Sequence, residues 1–149
     1  MPFINGQIGV DGPVIEIFVG LSLPRIQALQ SLGQSAPIPI KARALVDTGA
    51  SLTVIDKRVI QPLGIAPTGS IPMHTPSTGS TPQMCYLYDV GIWFLQAQMQ
   101  PQVHLMSVTI PVAEADFSAQ TIQALIGRDL LARCLFYYNG STSTISLSY

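Results

Sequence analysis

The chain has 149 residues, a length that fits one domain with a substantial hydrophobic core. Its net charge of −1 and its seven Lys and Arg residues argue against a nucleic-acid partner, which demands a basic surface. Charged residues make up only 10% of the chain, against about 25% in an average protein, and so sparse a charge favours a surface partly covered by a second subunit.

In the first half of the chain, strands alternate with small and polar segments. Clusters of β-branched and apolar residues predict strands at 3–8, 13–21 and 38–46. The segment 23–37 contains Pro24 and Gly33, and its composition predicts a loop with at most one helical turn. A further strand is predicted at 52–55, followed by a short turn of helix at 56–60.

In the second half, period-two alternation predicts strands at 84–95 and 103–112. Residues 128–134 form the one convincing helix, and a hairpin around Asn139-Gly140 joins strands at 135–138 and 144–149. The pattern predicts an all-β protein with one short C-terminal helix, in a single domain covering 1–149. The large apolar residues of the strands are interpreted as core: Met84, Trp93, Met99 and Met106.

The mean hydropathy of +0.39 makes a membrane segment worth testing. The most apolar charge-free stretch, 90–113, includes several glutamines, Pro101 and His104, which suits strands and not a span of about 20 lipid-facing residues. Residues 1–6 lack the basic-then-apolar order of a signal peptide, so we expect a cytoplasmic protein without membrane contact. In that compartment Cys85 and Cys134 are expected to be free, buried thiols.

The most informative motif is Val46-Asp47-Thr48-Gly49-Ala50-Ser51, a carboxylate in a tight turn after an apolar strand. Hydrolysis of a peptide bond by water and carboxylates alone takes two carboxylates, because one accepts a proton while the other donates one. The motif occurs once. Either two copies of the chain meet at Asp47, or the motif is an ordinary Asx-type turn.

A second motif decides between these interpretations. Together with Ala124-Leu125-Ile126-Gly127-Arg128-Asp129-Leu130-Leu131, the Asp-Thr-Gly turn resembles the retropepsin-like aspartic proteases, over about 14–149. The resemblance implies a closed β-barrel of the acid protease fold, with one lobe per chain. It also implies a homodimer, a peptide or protein substrate, and catalysis without a cofactor.

The resemblance assigns roles to individual residues. Asp47 is the catalytic residue, the Thr48 hydroxyl bonds across to the partner's backbone, and Gly49 permits the sharp turn. The other expected positions are Ala50 and Ser51 at the substrate, and Ile126, Gly127 and Arg128 supporting the catalytic loop from below. Family members often pair this Arg with an acid where Ser51 stands, so the partner of Arg128 is open and a solvent-facing side chain is the alternative.

The Pro-, Ser-, Thr- and Gly-rich region at about 71–84 occupies the place of the family's flap, the hairpin that covers the substrate. Gly79 suits a tight hairpin tip. Substrate contacts are therefore expected from Thr75, Pro76, Ser77, Thr78 and Gly79. The segment 23–37 is interpreted as an insertion relative to the retroviral enzymes.

The predicted function is that of an aspartic endopeptidase with a water molecule between two Asp47 carboxylates. At a separation of about 3 Å and an effective dielectric constant of ~20, the carboxylates repel by roughly 5 kcal/mol, so the pair shares one proton. Ala50 offers no hydroxyl to stabilise the charged form, which predicts a working pH less acidic than that of pepsin.

Other kinds of site have weak support. His74 and His104 lie far apart in sequence and outside any ligand cluster or nucleophile motif, so neither a metal site nor a Ser or Cys hydrolase is expected. The alternative function is a dimerisation or peptide-binding module of the same fold with weak or no proteolysis. The intact Asp47-Thr48-Gly49 favours the enzyme.

Overall fold

The computed structural model describes residues 3–74, 80–94 and 108–149, which fold mainly as β-strands. The strands are β1 (Phe3–Gly9), β2 (Gly12–Leu21), β3 (Ile40–Val46), β4 (Val54–Asp56), β5 (Gly69–Met73), β6 (Gln83–Phe94), β7 (Val108–Ala115), β8 (Ala124–Ile126), β9 (Leu135–Asn139) and β10 (Thr144–Ser148). The helices are α1 (Leu23–Ser31), α2 (Lys57–Ile60) and α3 (Arg128–Leu131), with a 3₁₀ turn at Gln61–Leu63.

Six of these strands close into a barrel. β2 pairs with β3, β3 with β8, β8 with β4, β4 with β7, β7 with β6, and β6 returns to β2. The β3–β8 and β4–β7 pairs are parallel and the others are antiparallel. Closure gives each barrel strand a hydrogen-bonded neighbour on both sides, so the barrel has none of the free edges of an open sheet. The prediction of a mostly β protein with a closed barrel is confirmed.

Branched side chains fill the barrel. On β2, Ile15, Ile17 and Val19 are buried while Glu16 between them is exposed, as period-two alternation predicts. The end of β6 is buried on both faces, from Val90 to Phe94. Burial of each such large side chain stabilises the fold by roughly 1.5–3 kcal/mol.

Trp93 belongs to the core, as predicted, and is 8% exposed. It lies over the cross-strand pair Gly20–Gly91, where a Cβ on either glycine would come within 2.8 Å of the indole. The core prediction for Met84 is wrong, because that side chain is 60% exposed on the open face of β6. Met99 and Met106 lie outside the described residues.

The prediction of a loop at 23–37 is wrong in its first half, where α1 forms a nine-residue helix. Pro24 lies in its first turn, where a missing N–H costs no hydrogen bond, and Gly33 takes a left-handed φ of 69° just past its end. Pro24 and Gly33 therefore mark the two ends of a helix, whereas their presence in the sequence predicts a loop. Ile26 and Leu29, three residues apart, pack against the barrel core.

Outside the barrel, β1, β10 and β9 form an antiparallel extension of the sheet. The predicted hairpin at Asn139-Gly140 is present, and the Asn139 side chain accepts hydrogen bonds from the backbone N–H and the hydroxyl of Ser141. The helix predicted at 128–134 is shorter than expected, since α3 ends at Leu131 and tight turns continue to Cys134. Cys85 and Cys134 are free thiols but half-buried, not fully buried.

Candidate active site

Asp47 directly follows β3, at the point where that strand leaves the barrel. Ala44 and Val46 are buried, whereas Leu45 and Asp47 alternate with them and are half-buried. The Asp47 N–H donates to the Ile126 carbonyl oxygen at 3.0 Å, which continues the parallel β3–β8 ladder by one step. A regular barrel strand therefore carries the carboxylate to a defined position.

In the turn after Asp47, two backbone N–H groups donate hydrogen bonds to the Asp47 carboxylate. Asp47 Oδ1 accepts from the N–H of Gly49 at 2.8 Å and of Ala50 at 3.3 Å. A Cβ on residue 49 would lie 3.1 Å from Oδ1, so glycine permits this close approach. Oδ2 accepts no hydrogen bond from the described residues. Thr48 and Gly49 are exposed in the turn.

The second motif lies against the segment that follows the turn. The Arg128 N–H donates to the Ala50 carbonyl oxygen at 2.9 Å. Gly127 is buried, and a Cβ there would lie 2.5 Å from the Leu52 carbonyl carbon, closer than real contacts allow. Glycine at this position is therefore required for the two segments to cross. The structure brings Ile126, Gly127 and Arg128 to the Asp47 turn, the place that the predicted supporting role needs.

Two residues at this crossing were not identified from the sequence. Thr53 is fully buried; its hydroxyl donates to Asp129 Oδ1 at 2.7 Å and accepts from the Gly127 N–H at 3.1 Å. The Thr53 N–H donates to Asp129 Oδ2 at 2.9 Å. Asp129, an acid in the first turn of α3, was the sequence signal that could have indicated a hydrogen bond here. Its partner Thr53 could not be identified, because it lies 76 residues away in sequence. These three hydrogen bonds, here called the Thr53–Asp129 clamp, fix the segment after the Asp47 turn to α3.

The remaining predicted contacts are only partly visible. Arg128 is exposed and forms no ion pair with any residue that the structure describes, in agreement with its solvent-facing alternative. Ser51 is exposed and Ala50 half-buried beside it. β5 and β6 pair as far as Met73 and Gln83, at the base of the predicted flap. The predicted contact residues at its tip lie outside the described residues: Thr75, Pro76, Ser77, Thr78 and Gly79.

A pocket of about 330 Å³ lies between Leu45 of β3, Asp11 of the β1–β2 turn and residues 119–122. Leu45 and Ile122 contribute apolar walls and Asp11 a carboxylate. Asp11 Oδ2 accepts from the Thr121 hydroxyl at 2.8 Å and pairs with Arg43 Nη2 at 3.3 Å, which ties the β1–β2 turn to the pocket wall. The volume is at the lower end of the range for small-ligand pockets.

A second apolar surface joins the Asp47 turn to the β5–β6 hairpin. Half-buried side chains from both elements pack against Val54 and Phe117 in a small cluster of their own. On these two elements they are Leu52, Ile71, Met73, Cys85 and Leu87, and Ala115 of β7 and Leu125 of β8 join the cluster. The segment that follows the Asp47 turn is therefore joined to the base of the β5–β6 hairpin by apolar contacts.

Comparison with known proteins agrees with this geometry. The model of the family described as aspartyl protease matches residues 38–130, more than half of the chain. The chain belongs to the aspartyl protease family. The match contains both the Asp47 turn and the Gly127 crossing, so it covers the elements that build the site. A comparison with curated proteins gives no match.

The fold of the chain is similar to that of a solved protease structure. It resembles a retropepsin-like aspartic protease from Rickettsia conorii, with a TM-score of 0.58 and 19% identity over 99% of this chain and 91% of the other. It also matches the retroviral protease-like domain of Ddi1 from Leishmania major, with a TM-score of 0.43 and 14% identity over 87% and 83% of the two chains. The fold of this aspartyl protease family member is retropepsin-like.

The described residues contain neither a group of metal-ligating side chains nor a membrane-spanning helix. No three His, Cys, Asp or Glu side chains in those ranges are grouped to hold a metal ion. Within the same ranges, no helix is long and apolar enough to cross a membrane. His74 is in the described part of the chain, whereas His104 is not.

Proposed function

We propose that this aspartyl protease family member is an aspartic endopeptidase that acts as a homodimer, with one Asp47 from each copy. The observation that carries the proposal is the half-buried Asp47 carboxylate, held at Oδ1 by two backbone N–H groups while Oδ2 stays free of described partners. A single chain supplies one such group, and carboxylate catalysis of peptide hydrolysis uses two.

In the proposed reaction, water lies between one ionised Asp47 and one protonated Asp47. The ionised carboxylate takes a proton from the water as its oxygen attacks the peptide carbonyl carbon, and the protonated carboxyl gives its proton to the carbonyl oxygen. In the collapse, the carboxylate that is now ionised takes a proton from one diol hydroxyl, the other carboxyl gives its proton to the leaving nitrogen, and the C–N bond breaks to release an acid and an amine. General acid–base steps of this kind typically contribute 10²–10⁴-fold to the rate.

The surroundings suit an extended peptide. The apolar cluster at Leu52 and the pocket at Leu45 offer places for substrate side chains, and in the proposal the β5–β6 hairpin acts as the flap. Closure of such a hairpin would satisfy the peptide backbone by strand-like hydrogen bonds and exclude water from the carboxylates. The Thr48 hydroxyl, exposed in the turn, is free to reach the second copy.

The test compares the parent protein with an Asp47→Asn variant on a diverse peptide mixture at several pH values, with cleavage read by mass spectrometry. We expect cleavage by the parent and a rate at least about 1,000-fold lower in the variant, because Asn neither accepts nor donates the required proton. Asp89→Asn, an exposed carboxylate on β6, is the matched control and keeps full activity. Peptide binding by the parent and by Asp47→Asn, without cleavage by either, would instead establish the binding module.

A further inference from the structure

One face of β3 leads from the Asp47 carboxylate to the pocket at Leu45. Arg43, Leu45 and Asp47 follow one another at intervals of two residues, and buried residues alternate with them. Side chains two residues apart on a strand lie on one face, about 7 Å apart along it. The same spacing separates the side chains on one face of an extended peptide. A substrate side chain next to the scissile bond, or two residues from it, can therefore reach this pocket.

The segment that forms the opposite wall of the pocket is held to β3 by Arg43. The Arg43 N–H donates to Gln123 Oε1 at 3.0 Å, and the Gln123 N–H donates to the Arg43 carbonyl oxygen at 2.8 Å. The Arg43 guanidinium donates to the Thr121 carbonyl oxygen at 3.1 Å. On the other side, a Cβ on Gly12 would lie 3.2 Å from Leu45 Cδ1, so the β1–β2 turn packs closely on this leucine. The walls of the pocket are therefore fixed by contacts within the chain.

Asp11 is the one charged residue among the described residues that line this pocket. Its side chain is 31% exposed. Oδ2 accepts from the Thr121 hydroxyl and from Arg43, whereas Oδ1 accepts no hydrogen bond from the described residues. Arg43 offsets part of the Asp11 charge, but its two terminal nitrogens donate to Thr121 and to Asp11 itself. The pocket thus combines apolar walls with a carboxylate that can accept further hydrogen bonds.

A lysine or arginine side chain matches both properties of the pocket. Its methylene stem can lie along Leu45 and Ile122 while its charged head donates to the Asp11 carboxylate. A fully apolar side chain would displace water from the carboxylate and give no hydrogen bond in return. An acidic side chain would be repelled by Asp11. The pocket therefore favours a basic side chain over an apolar one of the same length.

We propose that the pocket at Leu45 selects a lysine or arginine side chain of the substrate, next to the scissile bond or two residues from it, and that Asp11 determines this preference. The inference rests on the proposed function for the position of the bond. Asp11 binds one substrate side chain and transfers no proton, so its role is to set specificity and not to catalyse the reaction.

The test compares peptides that differ in one residue, lysine or norleucine, placed in turn at each position within two residues of the bond that the parent protein cleaves. Norleucine has the carbon chain of lysine without its charge. We expect kcat/KM to favour the lysine peptide by about 10-fold at the best position, and the ratio to fall to about 1 in Asp11→Asn, which keeps an acceptor oxygen but loses the charge. Cleavage of the norleucine peptide should be unchanged in this variant.

Glu16→Gln is the matched control, because Glu16 is an exposed acid that pairs with Lys41 and does not line this pocket. It removes the same charge and should keep the preference for lysine. A variant that merely disturbs the pocket would slow the cleavage of both peptides equally. A preference for lysine that survives in Asp11→Asn would overturn the proposal.

The two proposals fail separately. Equal cleavage of the lysine and norleucine peptides by the parent refutes the selection by Asp11 and leaves the protease intact. If the parent cleaves no peptide, the protease is refuted, and the pocket is tested by the binding of the same two peptides, labelled for fluorescence anisotropy. Tighter binding of the lysine peptide that is lost in Asp11→Asn supports the role of Asp11. Equal binding of the two peptides, or binding of neither, refutes it.

Discussion

The clamp between Thr53 and Asp129 is the part of the site whose energy can be worked out most directly. Thr53→Val keeps the shape of the side chain and removes its hydroxyl, which is fully buried. The hydrogen bond to the charged Asp129 is worth about 1.5–3 kcal/mol, and the Gly127 N–H left without its acceptor adds a cost of about 1–3 kcal/mol. Because Asp129 keeps its bond to the Thr53 N–H, we take about 3 kcal/mol as the expected loss.

The assay is urea unfolding together with a thermal scan at one fixed protein concentration, since the proposed dimerisation would couple stability to concentration. A loss of about 3 kcal/mol corresponds to a fall in Tm of roughly 6–12 °C for a protein of this size. Thr68→Val is the matched control, because its exposed hydroxyl makes only a 3.4 Å bond to the Leu87 carbonyl oxygen. If the two variants lose equal stability, the hydrogen bonds of Thr53 do not hold the segment after the Asp47 turn against α3.

Three further predictions concern the crossing, the acid stability and the working pH. Gly127→Ala should lower the free energy of unfolding by about 3 kcal/mol or more, because its Cβ meets backbone at 2.5 Å, whereas Gly9→Ala, with no atom within 4 Å of the added Cβ, should not; urea titration checks both. Hydrogen bonds from Arg58 hold the pKa of the buried Asp56 below its usual range, so the stability that this carboxylate contributes is present above about pH 4 and is lost as the pH falls through the lowered pKa. The stability gap between the parent and Asp56→Asn should therefore shrink on going from pH 6 to pH 3, and a gap that widens would contradict the argument. Peptide cleavage should peak at weakly acidic pH because Ala50 lacks a hydroxyl, and a pH–rate profile with its maximum near pH 2 would refute this.

Strands and the catalytic turn could be predicted because their signals are local. Alternation on β2 and the run of apolar residues on β6 depend on neighbours in sequence, as does the Asp-Thr-Gly turn after β3. Helix α1 was missed because its end signals, Pro24 and Gly33, also occur in loops. A local pattern alone does not distinguish the two uses.

The contacts that complete the site depend on the fold. Thr53 meets Asp129 across 76 residues of sequence, and Thr121 meets Asp11 across 110. Such pairs follow from barrel closure, and nothing in either short segment marks its partner. The cytoplasmic location, the homodimer, the flap contacts and the functional roles of all the site residues, Asp47 included, remain predictions.

Trp93 can serve as a fluorescent probe of the barrel. It is the only tryptophan of the chain, and it lies over Gly20 and Gly91 at the β2–β6 pairing that closes the barrel. Its fluorescence is therefore an intrinsic optical probe of that closure, emitting at short wavelength while the indole is dry and shifting to the red when water enters. A urea titration followed by Trp93 emission therefore reports when the barrel opens at the β2–β6 pairing.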